Sequence, residues 1–294
     1  MSTTVVGILS PGDMGAAVGG MLQNHGVDVI TCLENRSELS RIRADEAGLR
    51  NVATYQELVE EVDLLLSILV PSEALKTAKQ VAGHLDSNRS TNLSYVDFNA
   101  VAPKTSVEIS KVITTSGANF IDGGIIGGPP STSSRPRMYV SGPHLEGVLD
   151  LTRFGLDIRA LGNEIGKASA LKMVYAASTK GTTALWTELL TAARALNVSE
   201  ALENELNVSK VYPSITGGIP SMPRRSRRWV GEMHEIASTF ESIGLTPRIL
   251  SGAADMYDLI STTPAGKLSS RDPEPTIEIL LGQVIKALSD RESS

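Results

Sequence analysis

The first chemically informative residues are a glycine-containing turn near the N-terminus. The turn, Ser10-Pro11-Gly12-Asp13-Met14-Gly15, separates an apolar run, Thr4–Leu9, from a helical pattern, Met14–His25. In G-x-G-x-x-G turns the second glycine lets the backbone approach a diphosphate, and the third lets the helix pack closely on the strand. Here Ser10 replaces the first glycine, while Gly12 and Gly15 keep the other two places. We predict dinucleotide contacts at Ser10, Pro11, Gly12, Asp13 and Met14.

A second candidate position lies about twenty residues further on, where such domains read the adenosine ribose. The chain there reads Glu34-Asn35-Arg36-Ser37. A carboxylate at Glu34 would accept from a ribose hydroxyl, which favours NAD, whereas Arg36 with Ser37 would bind a 2′-phosphate, which favours NADP. A solvated surface charge is the plain alternative for Arg36. We predict NADP, with NAD as the alternative, and assign Asn35, Arg36 and Ser37 to its binding.

Apolar runs alternate with helical patterns through the first half of the chain, which is typical of a parallel sheet covered by helices on both faces. After about Gly162 the helical patterns continue without comparable strands. The sequence therefore predicts a doubly wound parallel α/β domain over 1–162 and an all-α domain over 163–294. The predicted strands are Thr4–Leu9, Val27–Leu33, Asp63–Val70, Leu93–Phe98, Asn119–Ile121, Met138–Ser141 and Asp157–Leu161.

Composition argues against several other classes of protein. A formal net charge of −6 and an aromatic content of 4% disfavour a nucleic-acid partner. The single cysteine, Cys32, rules out an intrachain disulfide, and the four histidines are too scattered for a metal site. The apolar stretch Leu64–Val70 is far shorter than a membrane span, and nothing before the first strand resembles a signal peptide. We expect a cytoplasmic protein without a membrane partner.

Four segments, taken in order, resemble one enzyme family. They are Ser10–Gly15, Asn35-Arg36-Ser37, Asp122-Gly123-Gly124-Ile125-Ile126-Gly127-Gly128 and Gly162–Lys172. Over most of residues 3–195 they resemble the β-hydroxyacid dehydrogenases and 6-phosphogluconate dehydrogenase. The helical remainder, including Pro223–Trp229, is similar to a phosphogluconate dehydrogenase-like branch of that superfamily. The resemblance implies a Rossmann domain, a helical domain that forms a homodimer, and a nicotinamide-dependent oxidation or reduction.

The resemblance also assigns further site residues. Leu69-Val70-Pro71 correspond to a strand end beside the nicotinamide ribose, and Asn99 to a polar residue near the nicotinamide. The glycine pair of the Asp122–Gly128 motif corresponds to a turn whose backbone amides hold the substrate's acid group; without the resemblance, this stretch indicates a flexible loop. Tyr175 is a candidate pocket hydroxyl or, equally, a core residue. The resulting cofactor contacts are Leu69, Val70, Pro71 and Asn99, and the substrate contacts are Asp122, Gly123, Gly127, Gly128 and Tyr175.

Lys172 is the predicted catalytic residue, because Gly162–Lys172 resembles the family segment whose lysine is the general acid and base. A lysine among apolar neighbours such as Leu171 and Met173 can have a pKa lowered towards neutrality and so both give and take a proton. The alternative is a lysine that extends from a helix into solvent. Lys167 and Lys180 are weaker candidates.

Departures from the family pattern leave the substrate open. Ala176 stands where the family commonly has asparagine, Thr179 where the phosphogluconate enzyme has an acidic glutamate, and Ile126 where a serine precedes the glycine pair. These changes argue against 6-phosphogluconate as the substrate. We predict an NADP-dependent oxidoreductase acting on a small anionic hydroxy or keto acid; the alternatives are an imine reductase and a catalytically silent NADP(H) sensor.

A cluster of four arginines allows two interpretations. Arg224, Arg225, Arg227 and Arg228 lie at a predicted helix start, where cations are unfavourable unless something negative is near. They are expected either to close over an anionic substrate or cofactor phosphates, or to form a solvated face in which Glu232 pairs with Arg228. His234 beside Glu232 and Glu235 lacks the spacing of a metal site.

Overall fold

The computed structural model of the chain describes residues 4–85, 93–131, 134–208, 217–269 and 271–292. The chain divides into two compact units, Met1–Met173 and Val174–Ser294. This division falls inside the helix that carries Lys172, and the sequence-based domain boundary at residue 162 stays a prediction.

The first unit contains one eight-stranded sheet with the order β3-β2-β1-β4-β5-β6-β7-β8. Strands β1 to β6 run parallel, β7 is antiparallel to β6, and β8 is parallel to β7. The order reverses at β1, which is the doubly wound arrangement of the Rossmann fold. The strands are β1 Val5–Ile8, β2 Asp28–Cys32, β3 Arg50–Val52, β4 Leu64–Ser67, β5 Ser94–Asp97, β6 Asn119–Ile126, β7 Arg137–Ser141 and β8 Asp157–Ala160.

Two strands differ from the sequence-based expectation. β3 is unexpected because it has only three residues, of which Val52 alone is buried. β6 continues to Ile126 rather than ending at Ile121. Glycine weakens a strand, so Gly123-Gly124 indicates an end there, but the neighbouring strand β7 pairs through both residues and keeps the strand extended.

Helices cover both faces of the sheet, which explains why its strands are almost continuously apolar. On one face Val18 and Leu22 of the first helix pack on Val6 and Ile8. On the other face the buried side chains include Leu58, Leu65, Val81, Tyr95, Ile109 and Phe120. The helices of this unit are α1 Asp13–Asn24, α2 Glu38–Glu46, α3 Tyr55–Glu61, α4 Pro71–His84, α5 Pro103–Thr115, α6 Glu146–Asp150 and α7 Lys167–Ala176, whose last residues belong to the second unit.

The described secondary-structure elements of the second unit are all helices, joined by turns and irregular segments. A π-helical turn, Ala177–Gly181, follows α7 directly. The longer helices are α8 Thr182–Ala195, α9 Ser199–Val208, α10 Ser226–Glu241, α11 Arg248–Thr262 and α12 Ile277–Glu292. The prediction of an α/β sheet followed by an all-α region is confirmed. In the part of the chain that the structure describes, no helix has the length and apolar character needed to cross a bilayer.

Candidate functional site

The turn between β1 and α1 is shaped by its glycines. Gly12 N donates to Ser10 O at 2.9 Å, and a Cβ on Gly15 would lie 2.3 Å from the same carbonyl oxygen. Only glycine therefore lets α1 start this close to β1. A Cβ on Gly12 would meet no atom within 4 Å, so there is open space beside the turn.

The first turn of α1 has backbone amides available for an anion. Gly12 occupies the N-cap position without a side-chain cap hydrogen bond. The exposed Asp13 pairs with Arg43, while Pro11 is buried and Met14 is half-buried against the core. Amides and the helix dipole at such an N-terminus favour a phosphate. The turn therefore fits the diphosphate of a dinucleotide.

Asn35 has a left-handed backbone with φ 56°, and it turns the chain after β2 towards the end of β1. Arg36 Nη2 donates to Leu9 O at 3.0 Å and to Tyr55 Oη at 2.6 Å. Its Nε is buried and has no acceptor among the described residues. Ser37 Oγ accepts from Ser40 N at 3.3 Å and caps α2. The Arg36 guanidinium is thus held in place after β2, with its buried Nε unmatched.

Asn99 joins the ends of β4 and β5. Its Oδ1 accepts from Leu69 N at 2.5 Å, and its Nδ2 donates to Ser67 Oγ at 2.9 Å. Asn99 is buried, so it fixes the strand end rather than presenting its amide openly. The neighbouring Val70 is 46% exposed, and Pro71 begins α4. Asn99 therefore fixes the backbone next to the residues that are predicted to contact the nicotinamide side of the cofactor.

A row of buried polar side chains crosses the sheet near the ends of β4 and β5. Ser67, Asp97, Asp122 and Ser141 are paired in register on β4, β5, β6 and β7, and all four are buried. Asp97 Oδ1 accepts from Asn99 N at 3.0 Å, but its Oδ2 has no hydrogen-bond partner among the described residues. Burial, and to a smaller extent the negative charge of Asp122, raise the pKa of Asp97 to about 7.

Asp122 caps α7 from within the sheet. Its Oδ2 accepts from the backbone amides of Gly166, Ala168 and Ser169 at 3.0, 2.9 and 3.1 Å. The hydroxyls of Ser106, Ser141 and Ser169 donate to the same carboxylate. A carboxylate at a helix N-terminus is favoured by the dipole as well as by these bonds.

The predicted substrate contacts at Asp122 and Gly123 require correction. Asp122 is completely buried, and Gly123 lies in β6 where a Cβ would be 2.5 Å from the Phe98 ring. In this structure neither residue is exposed to a ligand. Their role is to hold strands and helix together.

Lys172 lies in the turn of helix α7 that packs against β6 at Gly124. Its Nζ donates to Ile125 O at 2.7 Å. A Cβ on Gly124 would lie 2.9 Å from Lys172 Cβ, so glycine at 124 is what allows this close crossing. Gly127, with φ 126°, and Gly128 follow directly after the strand and are exposed. The amine and the glycine pair are therefore at the same strand end.

The other candidate residues have contacts of their own. Lys167 is exposed and pairs with Glu164 at 3.3 Å. Lys180 pairs with Glu232, and Tyr175, 42% exposed, belongs to the second unit. Arg228 Nε lies 3.3 Å from the buried Glu232, and Arg224 pairs with Glu274. Within the described ranges no group of acidic, histidine or cysteine side chains is arranged to hold a metal ion.

The doubly wound sheet, the glycine turn before α1 and the fixed arginine after β2 define a dinucleotide-binding domain. Residues 4–146 match the family described as the NAD binding domain of 6-phosphogluconate dehydrogenase, so this part of the chain is an NAD-binding domain of that family. Residues 193–260 match a domain of unknown function, DUF1932. The family resemblance inferred from the sequence is confirmed.

Solved structures agree with this assignment. A conserved protein of unknown function, described as structurally similar to 3-hydroxyacid dehydrogenases, is 28% identical with a TM-score of 0.67, over 87% of this chain and 96% of that one. Mycobacterium tuberculosis 3-hydroxyisobutyrate dehydrogenase is 16% identical with a TM-score of 0.70, over 96% and 99%. An imine reductase from Myxococcus stipitatus in complex with NAD+ is 17% identical with a TM-score of 0.55, over 97% and 100%. The chain has the fold of the hydroxyacid dehydrogenase-like oxidoreductases.

Asp97→Asn should change how stability depends on pH. An unfolded aspartate ionises near pH 4, whereas Asp97 keeps its proton to about pH 7. Between these values the folded protein binds more protons than the unfolded one, so the free energy of unfolding falls as pH rises, by on the order of 4 kcal/mol. In the variant this decrease in the free energy of unfolding should be absent. Urea denaturation at several values between about pH 4 and about pH 7 measures it. Identical pH slopes for both proteins would contradict the buried, protonated state of Asp97.

Asp122→Asn should destabilise the protein by about 3 kcal/mol or more, because the new NH2 group faces donors that the carboxylate had satisfied. Chemical denaturation followed by circular dichroism measures the effect. Asp45→Asn, on the exposed side of α2, is the matched control and should stay within about 0.5 kcal/mol of the parent. Equal effects of the two substitutions would show that the cap on α7 contributes nothing.

Proposed function

We propose that the protein is an NADP-dependent oxidoreductase that acts on a small anionic hydroxy or keto acid, with Lys172 as the general acid and base. The observation that carries the proposal is the position of the Lys172 amine. Its Nζ lies 2.7 Å from the carbonyl oxygen of Ile125, in the strand that leads directly into Gly127-Gly128. The proposed assembly is a cytoplasmic homodimer formed through the helical unit, where Leu185 and Ile249 are 60% and 75% exposed.

The residues at the glycine turn suit the cofactor's diphosphate. The amides at the start of α1 bind it, and the nicotinamide, when bound, supplies or accepts a hydride. Arg36 selects the 2′-phosphate, since its guanidinium is already oriented by Leu9 O and Tyr55 Oη and its Nε needs an acceptor. Glu34 is exposed at the same turn and represents the NAD alternative.

Lys172 moves the proton that accompanies this redox step. In reduction its ammonium gives a proton to the carbonyl oxygen of a keto acid, and in oxidation its amine takes the proton from the hydroxyl. The hydrogen bond to Ile125 O holds Nζ near the end of β6. Backbone N–H groups at Gly127 and Gly128 bind the substrate's carboxylate.

Imine reduction on the same scaffold is the second candidate. Ala176 is buried and carries no polar group, and Thr179 Oγ1 donates to Ala176 O at 3.3 Å within its own turn. The positions that serve hydroxy-acid chemistry in the family are thus apolar or internally bonded. A structural neighbour is an imine reductase. Consumption of NADPH with a panel of keto acids and a panel of cyclic imines distinguishes the two candidates.

Lys172→Met should lower kcat/KM on the preferred substrate by about a hundredfold to ten-thousandfold, the usual contribution of a general acid or base. The dissociation constant for NADPH, measured by calorimetry, should stay close to that of the parent. Lys167→Met removes an exposed lysine from the same helix and is the matched control, with unchanged turnover. Retention of turnover in Lys172→Met would overturn the assigned role.

Arg36→Gln should weaken NADPH binding about tenfold or more, as expected for the loss of a charged hydrogen bond to a phosphate, and leave NADH binding nearly unchanged. Calorimetry with both dinucleotides measures the two effects. Arg153→Gln, at an exposed arginine that pairs with Asp150, serves as the control. Equal losses for NADPH and NADH would argue for a purely structural role of Arg36.

A further inference from the structure

The four clustered arginines are not equivalent. Arg224 pairs with Glu274 and Arg228 with Glu232, and Arg227 is exposed on α10. No carboxylate lies within ion-pair distance of Arg225 in the part of the helical unit that the structure describes. Among the described residues of this unit, Arg225 is therefore a cation without an ion-pair partner.

Arg225 is nevertheless held in a defined orientation. Its Nε donates to Ser221 O at 3.2 Å, and its Nη2 donates to Ser221 Oγ at 2.5 Å. The guanidinium carbon lies 5.2 Å from the centroid of the Trp229 ring, within cation–π distance. All these partners are neutral, and the residue is exposed. A fixed, accessible guanidinium without a counter-charge is suited to receive an oxyanion.

The surroundings of Trp229 add further positive charge. Lys180 Nζ lies 5.4 Å from the same ring centroid, and Lys180 also pairs with the buried Glu232. Tyr257 meets the ring edge-on at 5.2 Å, and its Oη donates to Lys180 O at 2.5 Å. Lys180 lies in the π-helical turn, a feature that often marks functional sites.

Charge does not balance in this group. Glu232 alone faces both Lys180 and Arg228, and the first turn of α10 contains no acidic residue. Arg225 lies at the N-cap of α10, where the helix dipole is also positive. Partial burial, then the charges of Arg228 and Arg224, lower the pKa of Arg225. A bound anion would relieve this repulsion.

We propose that Arg225 and Trp229, supported by Lys180, Ser221 and Tyr257, form an oxyanion-binding site of the helical unit that takes a carboxylate or a phosphoryl group. Arg225 binds the oxyanion directly, and Trp229 fixes the guanidinium plane. Arg225, Trp229 and Tyr257 lie in residues 193–260, the domain to which no function is attached. The proposal goes beyond the proposed redox reaction and does not depend on it.

The test uses Trp229 as a reporter. The chain has two tryptophans, so Trp186→Phe in the full-length protein leaves Trp229 as the sole source of indole fluorescence. Inorganic phosphate, pyrophosphate and acetate are titrated separately at constant ionic strength, with chloride as the reference anion. Saturable fluorescence changes are expected, and the phosphate and acetate arms distinguish a phosphoryl from a carboxylate preference.

Matched variants in the Trp186→Phe background locate the site. Arg225→Gln should weaken anion binding about tenfold or more, and Arg227→Gln, two residues away, should leave it nearly unchanged. Arg225→Lys keeps the positive charge but loses the forked N–H donors of the guanidinium, so it should bind the anion with intermediate affinity. This variant replaces Arg225→Gln in the test if Arg225→Gln fails to fold. Absence of any saturable change, or equal losses for Arg225→Gln and Arg227→Gln, would overturn the proposal.

Discussion

The carboxylate of Asp122 connects the sheet to the helix that carries Lys172. It accepts hydrogen bonds from three backbone amides at the start of α7 and from three serine hydroxyls, and the Asp122 side chain is completely buried. Leaving such donors unpaired in the interior would cost several kcal/mol, about 1–3 for each group, so the helix has little freedom to shift along β6. The position of Lys172 relative to Gly127-Gly128 depends on this one buried group.

Asp97 and Asp122 are paired in register on adjacent strands, but their hydrogen-bond partners differ. Asp122 has a full set of donors, whereas Asp97 has one backbone donor and an unpartnered Oδ2. Through Asn99, Asp97 is linked to Leu69 and hence to the exposed Val70 and Pro71. The polar row therefore supports both predicted sides of the site, the cofactor side and the substrate side.

Much of this arrangement is predictable from local sequence, because strand, turn and helix signals are short-range. The glycine turn at Gly12 and Gly15 is one example, and the NAD-binding domain it indicated is confirmed. The roles of Asp97 and Asp122 were not predictable, because they depend on which strands become neighbours. A signal existed: in both Tyr95-Val96-Asp97 and Phe120-Ile121-Asp122, an aspartate follows two residues of an apolar run. Likewise, the pairing of Arg224 with Glu274 joins two segments that are far apart in the sequence.

If Lys172 takes part in the redox step, its amine and the bound nicotinamide meet at one edge of the sheet. A crystal structure of the protein with NADPH is the decisive experiment. We expect the diphosphate at the first turn of α1, the 2′-phosphate at Arg36, and room for one small substrate between the nicotinamide ring and Nζ of Lys172. A nicotinamide ring on another face, or an Nζ turned away from it with Asp122 no longer capping α7, would contradict it.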